Sequence, residues 1–218
     1  LVISIACWLI RKEELYMNRA VGIEKVIPEI PIPKTQKNVF DRWIKMEYGK
    51  MYSILILDVS GSMNCYYEPL ICLANKIIKK QMGNNENEGT IIFFASSAKA
   101  IINGKYRLLN TGDIRSASVG GGTDFYRAFQ LAKEYIYNKN SFTKKRILFL
   151  TDGCANSSQL GPIYNEMIKE NFTINIVGFG SNSRFEHLRK FSSPNCFFTS
   201  TNFKDVELFC QNIFAADY

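Results

Sequence analysis

Between Ser53 and Val59 the chain reads SILILDV, an apolar run too continuous for a strand with one wet face, and it predicts a strand buried on both sides. In YYEPLICLANKIIKKQMG, Leu70, Leu73, Ala74, Ile77 and Ile78 fall at i, i+3, i+4, i+7 and i+8. That spacing predicts an amphipathic helix, with Pro69 suited to its first turn and Gly83 to its C-terminal cap. GTIIFFASSAKAII reads as two short strands joined by a tight Ser-Ser turn, a hairpin at a sheet edge. A second helical face runs through Phe125, Ala128, Phe129, Ala132 and Ile136, and RILFLTDG is a second buried strand. The pattern then predicts a helix over 161–170, the strand TINIVGFG, a helix over 184–191 and the strand CFFTST. A last helix over 203–214 carries Phe203, Val206, Cys210, Ile213 and Phe214 on one face. Strand and helix alternating after one hairpin predicts an α/β fold: a doubly wound, mostly parallel central sheet with an antiparallel edge strand and helices on both faces.

The first 50 residues break this rhythm. EKVIPEIPIPKTQKN places three prolines within six residues, which removes backbone donors and favours an extended segment. Residues 1–50 are therefore read as an N-terminal extension of unassigned role, and residues 51–218 as the domain. The opening LVISIACWLI is too short to span a bilayer, which takes about 20 apolar residues.

Composition changes this picture little. Of 218 residues, 46% are hydrophobic and 22% charged, a globular balance that argues against general disorder. The net charge of +7 is spread along the chain, and its densest cluster, Lys144, Lys145 and Arg146, is expected to be a solvated start to a strand. None of the six cysteines (Cys7, Cys65, Cys72, Cys154, Cys196, Cys210) forms a C-x-x-C pair, and there is a single histidine, so a Cys/His metal site lacks material. Free, mostly buried thiols and no recognisable complete signal peptide lean towards an intracellular protein.

The chemistry gathers where the strands end. In a doubly wound sheet, ligands bind beyond the carboxyl ends of the strands where the winding reverses. The first strand ends at Asp58, followed by Ser60 and Ser62, and RILFLTDG ends at Asp152. The loop SVGGGTDF reaches the same rim, its glycines allowing close approach and Thr123 sitting at the helix start, where a hydroxyl is a favoured cap. Asp58, Ser60, Ser62, Thr123 and Asp152 are thus expected to converge as two carboxylates and three hydroxyls. Such hard oxygen ligands suit Mg²⁺, Mn²⁺ or Ca²⁺ and exclude zinc on ligand type. Direct contacts from the hydroxyls, with the aspartates placing waters, leave a coordination position that favours an incoming carboxylate.

DVSGSM, GGTDF and TDG, in this order and at these intervals, resemble the von Willebrand factor A domain with a complete metal-ion-dependent adhesion site (MIDAS). The resemblance covers roughly residues 51–218 and implies a Rossmann-like fold. It also implies that Asp58, Ser60, Ser62, Thr123 and Asp152 are the metal ligands, and that a protein partner completes the shell with an Asp or Glu. Integrin-type domains place acidic residues shortly after the second serine to hold an adjacent ion. Here Met63, Asn64 and Cys65 follow, so a second ion of that kind is not expected.

Two other classes compete. A metal-dependent phosphoryl-transfer hydrolase on a similar sheet would use Asp58 as nucleophile and an acid two residues on, where this chain has Ser60. An RNA-associated protein with a basic surface would fit the charge, but an aromatic-basic RNA signature is missing. GGG at 120–122 lacks the lysine of a phosphate-binding loop, and His187 is expected on a helix away from the rim, beside no serine. The reading is a non-enzymatic protein-binding module. Asp124 is expected to cap a helix, and Cys65 and Cys154 to be packing residues near the site.

Overall fold

The first strand, β1 (Met51–Asp58), is buried along its whole length because both of its faces are covered. Its side chains alternate between two cores. Tyr52, Ile54 and Ile56 enter one, and Leu55 and Leu57 the other. A continuous apolar run is what such a strand requires. The structure is a computed structural model that describes residues 49–109, 114, 120–153, 155–180 and 182–214, without the side chains of 182–184. The expected extension falls outside these residues except for Gly49 and Lys50.

Six strands form one sheet in the order β3-β2-β1-β4-β5-β6. They are β1, β2 (Glu88–Phe94), β3 (Ala98–Lys105), β4 (Lys144–Thr151), β5 (Thr173–Phe179) and β6 (Phe197–Ser200). All neighbours pair in parallel except β2 and β3, the predicted edge hairpin. Among the described residues, four helices fill the crossovers, α1 (Tyr67–Gln81), α2 (Phe125–Lys133), α3 (Leu160–Lys169) and α4 (Asn182–Arg189), and α5 (Phe203–Ile213) follows β6. The core with Leu55 and Leu57 takes Leu70, Ala74 and Ile77 from α1 and Val206 and Cys210 from α5. The opposite core takes Phe125 and Phe129 from α2, Ile163 from α3 and Phe185 from α4. The predicted fold class is the observed one, and the winding reverses between β1 and β4.

Local details depart from the pattern. A 3₁₀ turn over Gly61–Tyr66 precedes α1 and is anchored by the fully buried Met63. The α1 C-cap is Met82, and Gly83 is not left-handed; its amide bonds to Lys80 O at 3.3 Å. Helix α2 stops at Lys133, yet Ile136 is still buried, because the amides of Glu134, Tyr135 and Ile136 bond three residues back and carry the face onward. Nor is the basic cluster a solvated start. Lys145 is buried and its Nζ caps α3 at Glu170 O (2.8 Å), while Arg146 donates to Ile213 O. Among the described cysteines, Cys65, Cys72, Cys196 and Cys210 are free, but only Cys210 is buried, so mostly buried thiols are not what the fold provides. Cys7 and Cys154 lie outside the described residues.

Candidate functional site

Asp58 is the last residue of β1 and is fully buried, at the seam where β2 leaves on one side and β4 on the other. Pairing with β2 continues one step further, through Val59 N to Phe94 O at 2.8 Å. The chain then turns. Ser60 N donates to Asp58 Oδ1 at 2.8 Å, folding the carboxylate back on its own backbone. Met63 N bonds to Ser60 O at 3.0 Å and the Met63 side chain enters the core, which leaves Ser62 exposed above the rim. Ser60 Oγ lies 3.2 Å from Ser62 Oγ, and Ser62 Oγ donates to Asp152 Oδ1 at 2.8 Å. Asp58, Ser60, Ser62 and Asp152 therefore form one hydrogen-bonded chain across the ends of β1 and β4.

Thr123 reaches the same rim beside Gly153. A Cβ on Gly153 would stand 3.0 Å from Thr123 Oγ1 and 3.5 Å from Asp58 Oδ2, so both oxygens border the space that the missing side chain leaves. The loop before Thr123 is tied to the loop after β1 by Gly61 N to Gly121 O (3.1 Å) and Gly120 N to Val59 O (3.0 Å). All five predicted residues are brought together. Thr123 is not the cap of α2, however. Asp124 is, accepting from Arg127 N at 3.1 Å and pairing with Arg127 Nε, and Thr123 is thereby left to the site.

Burial holds the Asp58 pKa above its ordinary value, and the nearby Asp152 adds to this; the hydrogen bonds from Thr151 and Ser60 pull the other way. A buried carboxylate held against desolvation, next to a second one, is a place that gains from positive charge. Among the described residues no group of three His, Cys, Asp or Glu side chains that could hold a metal ion comes together. A cleft of about 250 Å³ opens beside Thr123, lined by the start of α2 and by Ala155, Asn156 and Gln159.

Three contributors were not singled out in the sequence. Thr151 is fully buried, donates to Asp58 Oδ2 and accepts from Gly153 N at 3.0 Å. Its signal is a hydroxyl interrupting an otherwise apolar strand. Gly153 follows Asp152 in TDG and supplies the space just described. Ser96, in the Ser-Ser turn, accepts from Gly122 N at 2.8 Å. His187 is half-buried on α4, with its ring stacked over that of the core residue Phe125 at a centroid distance of 6.5 Å.

Residues 53–155 match the family model of the von Willebrand factor type A domain. All five site residues fall inside that match, and the match and the fold together support a von Willebrand A-type domain. Solved structures of similar fold include proximal thread matrix protein 1 from the mussel byssus with a zinc-occupied MIDAS motif, at TM-score 0.64 and 19% identity. That alignment covers 78% of this chain and 46% of the mussel protein. The pilus adhesin SpaC from Lactobacillus rhamnosus GG, in its open conformation, follows at TM-score 0.63 and 13% identity, covering 76% of this chain and 30% of that one. The vWF domain of the type V pili tip protein Mfa5 from Porphyromonas gingivalis gives 0.61 and 11%, covering 76% and 94%. The chain thus spans about half the length of the mussel protein and less of the adhesin. At these identities the likeness shows the fold. No curated protein matches the chain in sequence.

Proposed function

We propose that this chain is a divalent-cation-dependent protein-binding module in which Asp58, Ser60, Ser62, Thr123 and Asp152 form a metal-ion-dependent adhesion site. The observation that supports the reading is the continuous hydrogen-bonded chain from Asp58 to Asp152, with Thr123 Oγ1 and Asp58 Oδ2 both bordering the space left by Gly153. The donors fit a hard cation: all are oxygen, two carry charge, and one carboxylate is buried with its charged form disfavoured. Bound there, Mg²⁺, Mn²⁺ or Ca²⁺ would supply positive charge and an open position for an Asp or Glu of a protein partner. The zinc in the MIDAS motif of the mussel protein shows that ligand type alone does not exclude zinc from such a site. The fold relatives include a pilus adhesin and a thread matrix protein, which supports binding of a protein partner. No catalytic role belongs to this reading, and the position two residues after Asp58 is a serine hydroxyl bonded within the site instead of an acid. Binding of RNA by the basic cluster is disfavoured, since Lys145 and Arg146 are engaged with the backbone of α3 and α5. Among the described residues no helix is long and apolar enough to cross a membrane.

The test is thermal unfolding in EDTA and across a millimolar series of Mg²⁺, Mn²⁺ and Ca²⁺, with a micromolar Zn²⁺ arm and Asp58→Ala alongside. Binding to the folded state alone stabilises by about 2.7 kcal/mol at a hundred times the dissociation constant. A saturable rise in melting temperature for the natural chain, lost in Asp58→Ala, is the expected result. The same rise in both proteins would place the cation elsewhere and end this reading.

A further inference from the structure

We infer that Ser96, in the turn between β2 and β3, is a positioning residue for Thr123, an inference that rests on the metal-site reading above. The turn holds the backbone on both sides of Thr123. Ser96 Oγ accepts from Gly122 N at 2.8 Å, immediately before Thr123, and Ala95 O accepts from Asp124 N at 2.9 Å, immediately after it. Gly121, one residue further back, has φ +86, in the left-handed region that favours glycine. A Cβ there would stand 2.7 Å from Ser96 Oγ, so the hydroxyl occupies the ground that a side chain at 121 would take. Ala95 N to Ser97 O at 2.8 Å closes the turn, and the turn itself joins β2 to the edge strand β3. Two amides flanking one residue are thus held from outside the metal site by the β2–β3 turn.

The consequence is specific to Thr123. Asp58, Ser60 and Ser62 are placed by β1 and the buried Met63, and Asp152 by the end of β4. Thr123 belongs to neither strand. It sits at the end of a glycine-rich segment whose backbone has little preference of its own, so its hydroxyl is placed by what grips that segment. The Gly61 and Gly120 bonds anchor its near part to the loop after β1, and the Ser96 bond anchors the residue next to Thr123. A cation that demands near-ideal geometry reads such placement directly. Ser96 acts on Thr123 through the Gly122 amide.

The experiment compares the natural chain, Ser96→Ala, Ser96→Thr and Asp58→Ala by melting temperature against Mn²⁺ concentration, with amide hydrogen exchange at Gly122 followed in EDTA. Losing one ordinary hydrogen bond predicts a Mn²⁺ midpoint weakened by about fivefold in Ser96→Ala and faster exchange at Gly122, with the melting temperature in EDTA nearly unchanged. Ser96→Thr, which keeps the hydroxyl, restores both. A purely structural turn residue would instead lower the EDTA melting temperature and leave the midpoint alone, and that result overturns the inference. So does a midpoint in Ser96→Ala equal to the natural one while Asp58→Ala loses its response, an outcome that leaves the metal-site reading standing. A natural chain that shows no response to any cation removes the metal-site reading, and the inference with it.

Discussion

Thr151→Val removes one hydroxyl from the centre of the site while nearly keeping the side-chain volume. That hydroxyl is fully buried, donates to Asp58 Oδ2 and accepts from Gly153 N at 3.0 Å. Its loss strips a buried carboxylate of a charge-assisted hydrogen bond, about 1.5–3 kcal/mol, and orphans a buried amide, about 1–3 kcal/mol. The added methyl recovers roughly 0.8 kcal/mol of apolar burial. The net expectation is a loss of about 3 kcal/mol, or a melting temperature lower by about 6–12 °C for a domain of this size. Protonation of Asp58 limits the damage. The Thr151 bond favours the charged form and burial opposes it, so the substitution raises the Asp58 pKa further. The Thr151 contribution to Asp58 is therefore full above the variant's higher folded pKa and fades as pH falls from there to the natural one, leaving the share owed to the Gly153 amide. Urea unfolding in EDTA, at neutral pH and at successively lower pH, measures the difference. A deficit under about 0.5 kcal/mol at neutral pH, or one that does not shrink on acidification, would refute the account.

Two further substitutions separate fold from site. Gly153→Ala brings a Cβ to 3.0 Å from Thr123 Oγ1 and 3.3 Å from its Cγ2, at a position without left-handed backbone. The apo melting temperature should barely move while the Mn²⁺ midpoint weakens about tenfold, as read by melting or titration calorimetry; an unchanged midpoint would show that Thr123 takes no part. Gly89→Ala does the reverse, since its Cβ would lie 2.1 Å from the Tyr106 hydroxyl oxygen and 2.6 Å from Ser53 O, both held in the core. It should destabilise by more than about 4 kcal/mol in urea unfolding, and a natural unfolding midpoint would mean that the core around Tyr106 yields more easily than its packing implies.

The strands and the rim were legible because burial on both faces leaves a plain mark. SILILD and RILFL could only belong to the centre of a sheet, and the centre of a doubly wound sheet dictates where Asp58 and Asp152 end up. Helix caps were less legible. Thr123 and Asp124 are both good caps by composition, and the choice between them is made by tertiary bonds: Ala95 O takes the Asp124 amide and Gly153 makes room for the Thr123 hydroxyl. The Lys144–Arg146 run looked solvated because sequence carries no trace of the α3 carbonyls that lie beside Lys145. Helix α2 read one turn too long since the apolar period outlives the α-helical bonding, with Ile136 buried on tighter turns until Asn138 ends them at φ 59. Ser96 and Thr151 leave no plain mark in the sequence for a related reason: each acts on a residue far away along the chain.

The choice of hydroxyls over further carboxylates follows from what the site must survive when empty. Asp58 already draws on Ser60 N and Thr151 Oγ1 to offset its burial, and Asp152 draws on Ser62 Oγ. Acidic residues at 60, 62 or 123 would crowd three or more like charges into a partly buried rim, with each raising the pKa of its neighbours. A serine or threonine hydroxyl avoids this because it can donate to a carboxylate or accept a cation with its lone pairs. Ser62 is the clearest case: it donates to Asp152 in this structure, and turning that hydroxyl over would present the same oxygen to a metal. On the proposed reading, cation binding therefore exchanges a hydrogen bond for a coordination bond, which weakens the affinity for metal alone. The missing negative charge is then what a partner's carboxylate brings, and linkage requires that metal and partner each tighten the other's binding by the same factor.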